Sequence, residues 1–198
     1  MKKMLVLIAA LTVCGAAMAQ ISTGDRIVKG TVGLNTLGAL SGEGAYNFVH
    51  VTPRFEYFTG EHRSVGFSAG MLQTWSKNKY DSVTNRDGYQ AFFVGPTLNY
   101  YIPLCNRFYL SFNGFLGYVG LSGWTINKGP YASRDSGWTH FGMLSVTPML
   151  NYFINDRWII TLSAGNATLA LGGGEYLDGT YYAGINWGTP TLGIGLKF

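Results

Sequence analysis

Three histidines, His50, His62 and His140, are the side chains best suited to proton transfer near neutral pH. Ester hydrolysis would pair one of them with a serine nucleophile and an acid that orients the ring. Ser136 and Asp135 stand close to His140, but the residues after it are Phe141 and Gly142, so no serine lies two positions on. There is no metal-type cluster of Cys and His, and neither a metal nor a cofactor is expected. Lys29, Arg54, Glu56 and Lys197 form a second group, charged residues inside otherwise uncharged alternating stretches. One carboxylate among three cations can do charge compensation, and nothing in that set is a nucleophile.

The elements that carry these residues come from an internal repeat. Val51-Thr-Pro-Arg-Phe-Glu-Tyr-Phe58, Val94-Gly-Pro-Thr-Leu-Asn-Tyr-Tyr101 and Val146-Thr-Pro-Met-Leu-Asn-Tyr-Phe153 share one pattern. Gly188-Thr-Pro-Thr-Leu192 begins a fourth copy, and four of the six prolines occupy the same place in it. Each copy alternates with period 2, the mark of a strand. Val51, Phe55 and Tyr57 share one face and Thr52, Arg54 and Glu56 the other. The segments after the repeats alternate too, with Val65, Phe67 and Met71 opposing Ser64, Gly66 and Ser68. Eight strands result, over 25–36, 45–58, 63–75, 89–101, 107–119, 138–153, 157–169 and 181–198. The connections after the repeats are short. Those before them, at 36–45, 76–88, 120–137 and 170–182, are long and polar. A proline removes a donor from the ladder, so a bulge or local break is expected at Pro53, Pro96, Pro148 and Pro190.

Composition decides what surrounds such strands. Charged residues are only 12% of 198, aromatics are 15% and glycines number 28. A soluble globular chain carries about 25% charge, and a disordered chain or coiled coil also needs abundant charge. Mean hydropathy is only +0.12, too low for a bundle of spanning helices. The fold class expected is all-β: an eight-stranded antiparallel up-and-down transmembrane β-barrel, apolar outside and polar inside, with short turns on the periplasmic rim. Lys29, Arg54, Glu56 and Lys197 all fall on the polar parity, which makes them a lumen network near the periplasmic end. Tyr57, Tyr100 and Tyr152 fall on the outer parity before short turns, as an aromatic girdle does. A soluble barrel of lipocalin type would reverse the faces and line a ligand pocket with Phe55, Leu98 and Leu150.

The first residues read as an export signal. Met1-Lys-Lys3 is basic, Met4 to Val13 is apolar, and Ala17-Met-Ala19 has the small-x-small form of a cleavage site. The expected organisation is therefore a signal peptide at 1–19 and a barrel domain at 20–198. Cleavage leaves 12 basic and 10 acidic residues, and Cys105 as the sole cysteine. No basic run is present, and no nucleic-acid partner is expected.

Pro148-Met-Leu-Asn-Tyr-Phe-Ile-Asn-Asp-Arg-Trp158 resembles the hairpin signature of the small outer-membrane β-barrel family (OmpA/OmpX-like), in the form common in Bacteroidota. Leu192-Gly-Ile-Gly-Leu-Lys-Phe198 is similar to the C-terminal strand of such proteins. The resemblance implies residence in the outer membrane of a Gram-negative bacterium. It implies outer-membrane lipids and lipopolysaccharide as neighbours, and it makes Phe198 the C-terminal signal read by the barrel-assembly machinery. The fold hosts several functions. An envelope-structural or surface-interaction role is expected, with an unknown extracellular ligand met by the long loops. The alternatives are a narrow gated pore and an outer-leaflet lipid-modifying enzyme. His140 is the histidine placed to meet such a lipid, but barrel deacylases use a His-x-Ser spacing that His140-Phe141-Gly142 lacks, so no enzyme activity is expected.

Overall fold

The computed structural model describes residues 21–35, 46–80, 83–128, 133–163, 165–174, 177–186 and 190–198. The expected signal peptide and the connection at 36–45 lie outside them. Among the described residues there are ten strands. They are β1 (Arg26–Asn35), β2 (Tyr46–Gly60), β3 (Arg63–Tyr80), β4 (Val83–Cys105), β5 (Phe108–Lys128), β6 (Ser133–Phe153), β7 (Trp158–Ser163), β8 (Asn166–Gly174), β9 (Leu177–Asn186) and β10 (Thr191–Lys197).

All pairings are antiparallel, and they close into a ring. Sequential neighbours pair from β1 to β7; β7 pairs with β10, and β10 returns to β1 through Val28↔Leu196 and Gly30↔Ile194. β7 and β8 both pair with β6, and β8 pairs with β9. The ten segments thus fill eight positions in the wall, because each of the last two strands is cut in two.

The cut has a local cause. Register runs from Val146↔Ala167 to Met149↔Ser163, so two residues of β6 face three of its neighbour. One extra residue reverses which residues face out. Trp158, Ile160 and Leu162 are exposed before it, and Ala167, Leu169 and Leu171 after it. Gly165 has φ +87°, a conformation nearly closed to residues with a Cβ. This irregularity faces Pro148, and Pro190 lies in the matching interruption between β9 and β10. At Pro53 and Pro96 the ladder breaks without a bulge. Each keeps one neighbour, Gly30 and Phe67 respectively. On the other side the pairing skips from Val51↔Met71 to Arg54↔Ser68, and from Val94↔Tyr118 to Thr97↔Phe115, with equal counts on both strands.

The apolar parity faces out. Leu98 is 61% exposed, Phe112 40% and Leu150 37%, whereas Asn99, Asn113 and Asn151 between and beside them are buried. The pocket that a soluble barrel would line with Phe55, Leu98 and Leu150 therefore does not exist. In water each outward Val, Leu or Phe would forfeit about 1.5–3 kcal/mol of burial.

One part of the interior departs from the polar expectation. Ile21, Ile27, Phe58, Tyr101, Tyr109, Phe153 and Ile159 form a buried apolar cluster inside the ring at the end with short turns. The chain at 21–25 folds against it. Gly24 N–H donates to Phe58 O at 2.9 Å, Phe58 N–H donates to Asp25 O at 2.9 Å, and Ser22 N–H donates to Asp25 Oδ2 at 2.8 Å. These residues seal the barrel below its polar middle.

The connections at the other rim are also corrected. β3 and β4 pair as far as Tyr80↔Val83, β5 and β6 as far as Asn127↔Ser133, and β8 and β9 as far as Gly174↔Leu177. The expected loops at 76–88, 120–137 and 170–182 are mostly tall hairpins. Beyond an apolar surround both faces of a strand can be polar, so the period-2 contrast that marks a strand fades while the ladder continues.

Candidate functional site

β1 and β2 pair as Lys29↔Arg54 and Ile27↔Glu56, which brings three of the four expected lumen charges together. Lys29, Arg54 and Glu56 are 2%, 9% and 0% exposed. Lys29 Nζ lies 3.2 Å from Glu56 Oε1 and donates to Tyr101 Oη at 2.6 Å and to Asn151 Oδ1 at 3.4 Å. Its three N–H groups thus meet three oxygens, the coordination an ammonium requires. Lys197 does not join them. Its Nζ pairs with Asp25 Oδ2 at 2.9 Å, in the half-buried segment below the apolar seal. The expectation omitted Asp25 because it stands at the very edge of the strand.

Glu56 is where the donors converge. Tyr101 O–H and Ser64 O–H both donate to its Oε2, the latter at 3.2 Å. Behind Ser64, Asn99 Nδ2 donates to Ser64 Oγ at 3.0 Å, and Asn113 Nδ2 donates to Asn99 Oδ1 at 2.6 Å. A second arm runs through Asn151. It donates to Ser111 Oγ at 2.8 Å and accepts from Thr161 O–H at 2.9 Å. Asn99, Asn113, Asn151 and Thr161 stand on the polar parity of their strands, and all four are buried. Tyr101 was missed, although the outward Tyr100 fixes it as inward. The network spans β1 to β7 and pairs most of its polar groups inside the ring, the condition for carrying charge in a low-dielectric interior.

Arg54 is the loosely held member. Its Nη1 is 4.0 Å from Glu56 Oε1 and donates to the thioether of Met149 at 3.4 Å. Its Nε is buried and has no hydrogen-bond partner.

The three girdle tyrosines, Tyr57, Tyr100 and Tyr152, point outward, with Tyr57 and Tyr100 exposed and Tyr152 half-buried against Phe108 at 4.6 Å between ring centroids. Phe198 is exposed, and its backbone exchanges hydrogen bonds with Arg26 at 2.9 and 3.0 Å. At the opposite level of the wall, Phe92, Tyr118, Trp138 and His140 form an outward cluster. Phe92 lies 5.7 Å from both Tyr118 and Trp138, and His140 stacks at 5.8 Å on Tyr118 and 6.5 Å on Trp138. His140 stands 12 residues above Tyr152 on β6. That is about 40 Å along the strand, or about 29–33 Å of rise at the usual tilt, against an apolar band of about 25 Å. The cluster is thus an upper aromatic girdle.

The histidines do not assemble hydrolytic chemistry among the described residues. His140 Nδ1 shares a hydrogen bond with Tyr118 Oη rather than with a serine. His50 Nε2 pairs with Thr52 Oγ1 at 2.6 Å inside the ring, and His62 sits in an exposed turn. The side chains of Asp135 and Ser136 lie outside the described residues. Among the described residues no group of three or more His, Cys, Asp or Glu could hold a metal ion.

Fold and site together define a closed antiparallel β-barrel with a charged, sealed core and an apolar exterior. A major outer membrane protein from Thermus thermophilus shares that fold with a TM-score of 0.52 at 9% identity, covering 88% of this chain and 99% of that one. The attachment invasion locus protein Ail of Yersinia pestis aligns at 16% identity over 90% of this chain and 100% of its own, and OprG of Pseudomonas aeruginosa at 15% over 91% and 99%. Their TM-scores are 0.44 and 0.43. No family model matches the chain, and no curated protein does.

Proposed function

We propose that the chain is an integral outer-membrane barrel of OmpA/OmpX-like type whose role is structural or adhesive at the cell surface. One observation carries the location: large apolar side chains ring the outside of a closed barrel while its charges pair within. That surface is stable in hydrocarbon and costly in water. The leader-like start and two aromatic girdles agree with it. Lipids and lipopolysaccharide are then the lateral neighbours, and the strand ending at Phe198 is the segment an assembly machinery would read.

The surface role rests on strand length. β3, β4, β5 and β6 have 18, 23, 21 and 21 residues, where a tilted strand needs about 9–11 to span. Val83 stands 17 residues above Tyr100 on β4. This is about 41–47 Å of rise, so the hairpins project roughly 16–22 Å beyond the apolar band. A projection of four paired strands presents a hydrogen-bonded backbone surface to an external ligand. The apolar seal and the lumen network leave a conducting pore unsupported.

The test combines two readouts on cells expressing the chain. Surface protease should cut only near the hairpin tips, at 81–82, 129–132 and 175–176 or within 36–45. The protected core should migrate faster unheated than boiled on a gel. Cleavage at the short turns near Glu61 or Asn106, or migration unaffected by heat, would overturn the topology.

A further inference from the structure

We propose that the lumen holds a small monovalent anion, of the size of chloride, against the guanidinium of Arg54. The argument begins with charge. Lys29, Arg54 and Glu56 are buried together, and two cations share one carboxylate. Glu56 Oε2 accepts from Tyr101 and Ser64, and its Oε1 has no hydrogen-bond partner but lies in ion-pair contact with Lys29 Nζ at 3.2 Å. Lys29 also donates to Tyr101 and Asn151, so the single carboxylate is committed to Lys29. The surplus positive charge therefore resides on Arg54.

Donor accounting leads to the same atom. A guanidinium offers five N–H groups. Arg54 places one on a thioether, a weak acceptor, and one of its nitrogens 4.0 Å from the carboxylate. Its Nε–H is buried with no acceptor. Thr97 Oγ1, on the same polar interior, is also buried without a partner. An acceptor is wanted where the charge is in excess. Water would satisfy the donors and leave the charge. An anion does both, and in a ring surrounded by hydrocarbon an uncompensated charge is costly. The inner faces around Arg54 carry Thr52, Ser68 and Thr31, neutral side chains that add no negative charge. A monovalent ion brings the cluster to neutrality, and a dianion would overshoot it.

The full chain, folded in detergent micelles and shown folded by its heat-dependent migration, is titrated with chloride against gluconate at constant ionic strength and pH. The chlorine-35 resonance should broaden saturably, and the urea midpoint should rise with chloride. Crystals soaked in bromide should show an anomalous peak within hydrogen-bond reach of Arg54 Nε. Arg54→Gln should weaken binding by about ten- to a hundredfold, the equivalent of one charge-assisted hydrogen bond. Lys29→Met removes the surplus charge while leaving the guanidinium, and should lose binding as well; it also serves if Arg54→Gln does not fold. A midpoint indifferent to chloride with no bromide peak would overturn the proposal and leave water as the partner. Binding unchanged in Lys29→Met would overturn the charge argument behind it.

Discussion

Glu56→Gln isolates the account of the lumen in one substitution. The side chain keeps its shape but loses its charge, and two buried cations remain. In the native ring the carboxylate meets Lys29 Nζ at 3.2 Å, Ser64 Oγ at 3.2 Å, and the Tyr101 hydroxyl, with Arg54 at 4.0 Å. Removing one partner of a fully buried ion pair costs about 3–5 kcal/mol, because the other charge is left in a low-dielectric interior. Exposed pairs are worth about 0–1 kcal/mol, so the size of the effect reports burial as well as contact. Urea unfolding in lipid vesicles, followed by fluorescence of the five tryptophans and by the heat-dependent gel shift, measures it. The double variant Lys29→Met with Glu56→Leu should recover part of the loss, since it returns the net charge to that of the native ring, while Arg54 and the Tyr101 and Ser64 hydroxyls lose the carboxylate they face. A Glu56→Gln midpoint within about 0.5 kcal/mol of wild type would refute the reasoning, because that is the range of an uninvolved surface site.

Further outcomes follow from the wall and the seal. Val146→Arg puts a charge on the outward face midway between Tyr152 and His140 on β6 and should lower stability by about 2–4 kcal/mol in vesicles; the folded fraction on unheated gels checks it. Phe153→Ala empties part of the apolar seal and should cost about 3–5 kcal/mol in the same urea assay. Replacing residues 77–86 with a two-residue turn should keep the heat-dependent gel shift. It should also abolish binding of cells to any surface that the wild-type chain makes them adhere to.

Parity was the most legible feature of the sequence. Val51, Phe55 and Tyr57 against Thr52, Arg54 and Glu56 fixed which way each side chain points, and so brought Lys29, Arg54 and Glu56 into one interior. Legibility failed where the surroundings stop enforcing contrast. Above the apolar band, Lys77 to Arg86 alternate without a greasy face, and a tall hairpin reads as a loop. At the base, Ile27, Phe58, Phe153 and Ile159 are apolar residues on the inner parity, next to apolar residues on the outer one, so a short window shows no period. Lys197 was given to the wrong partner because Asp25 lies one residue before β1. The extra residue beside Gly165 leaves no composition signal, since its consequence is a reversal of faces that depends on the neighbouring strand.

The orientation of the two faces underlies all of this, and nitroxide labels test it directly. Labels at Leu98, Leu116 and Leu150 in vesicle-embedded protein should be relaxed strongly by oxygen and weakly by a water-soluble nickel chelate. Labels at Ser68 and Thr97 should be shielded from both. Nickel accessibility exceeding oxygen accessibility at the three leucine positions would place them in water and contradict the account.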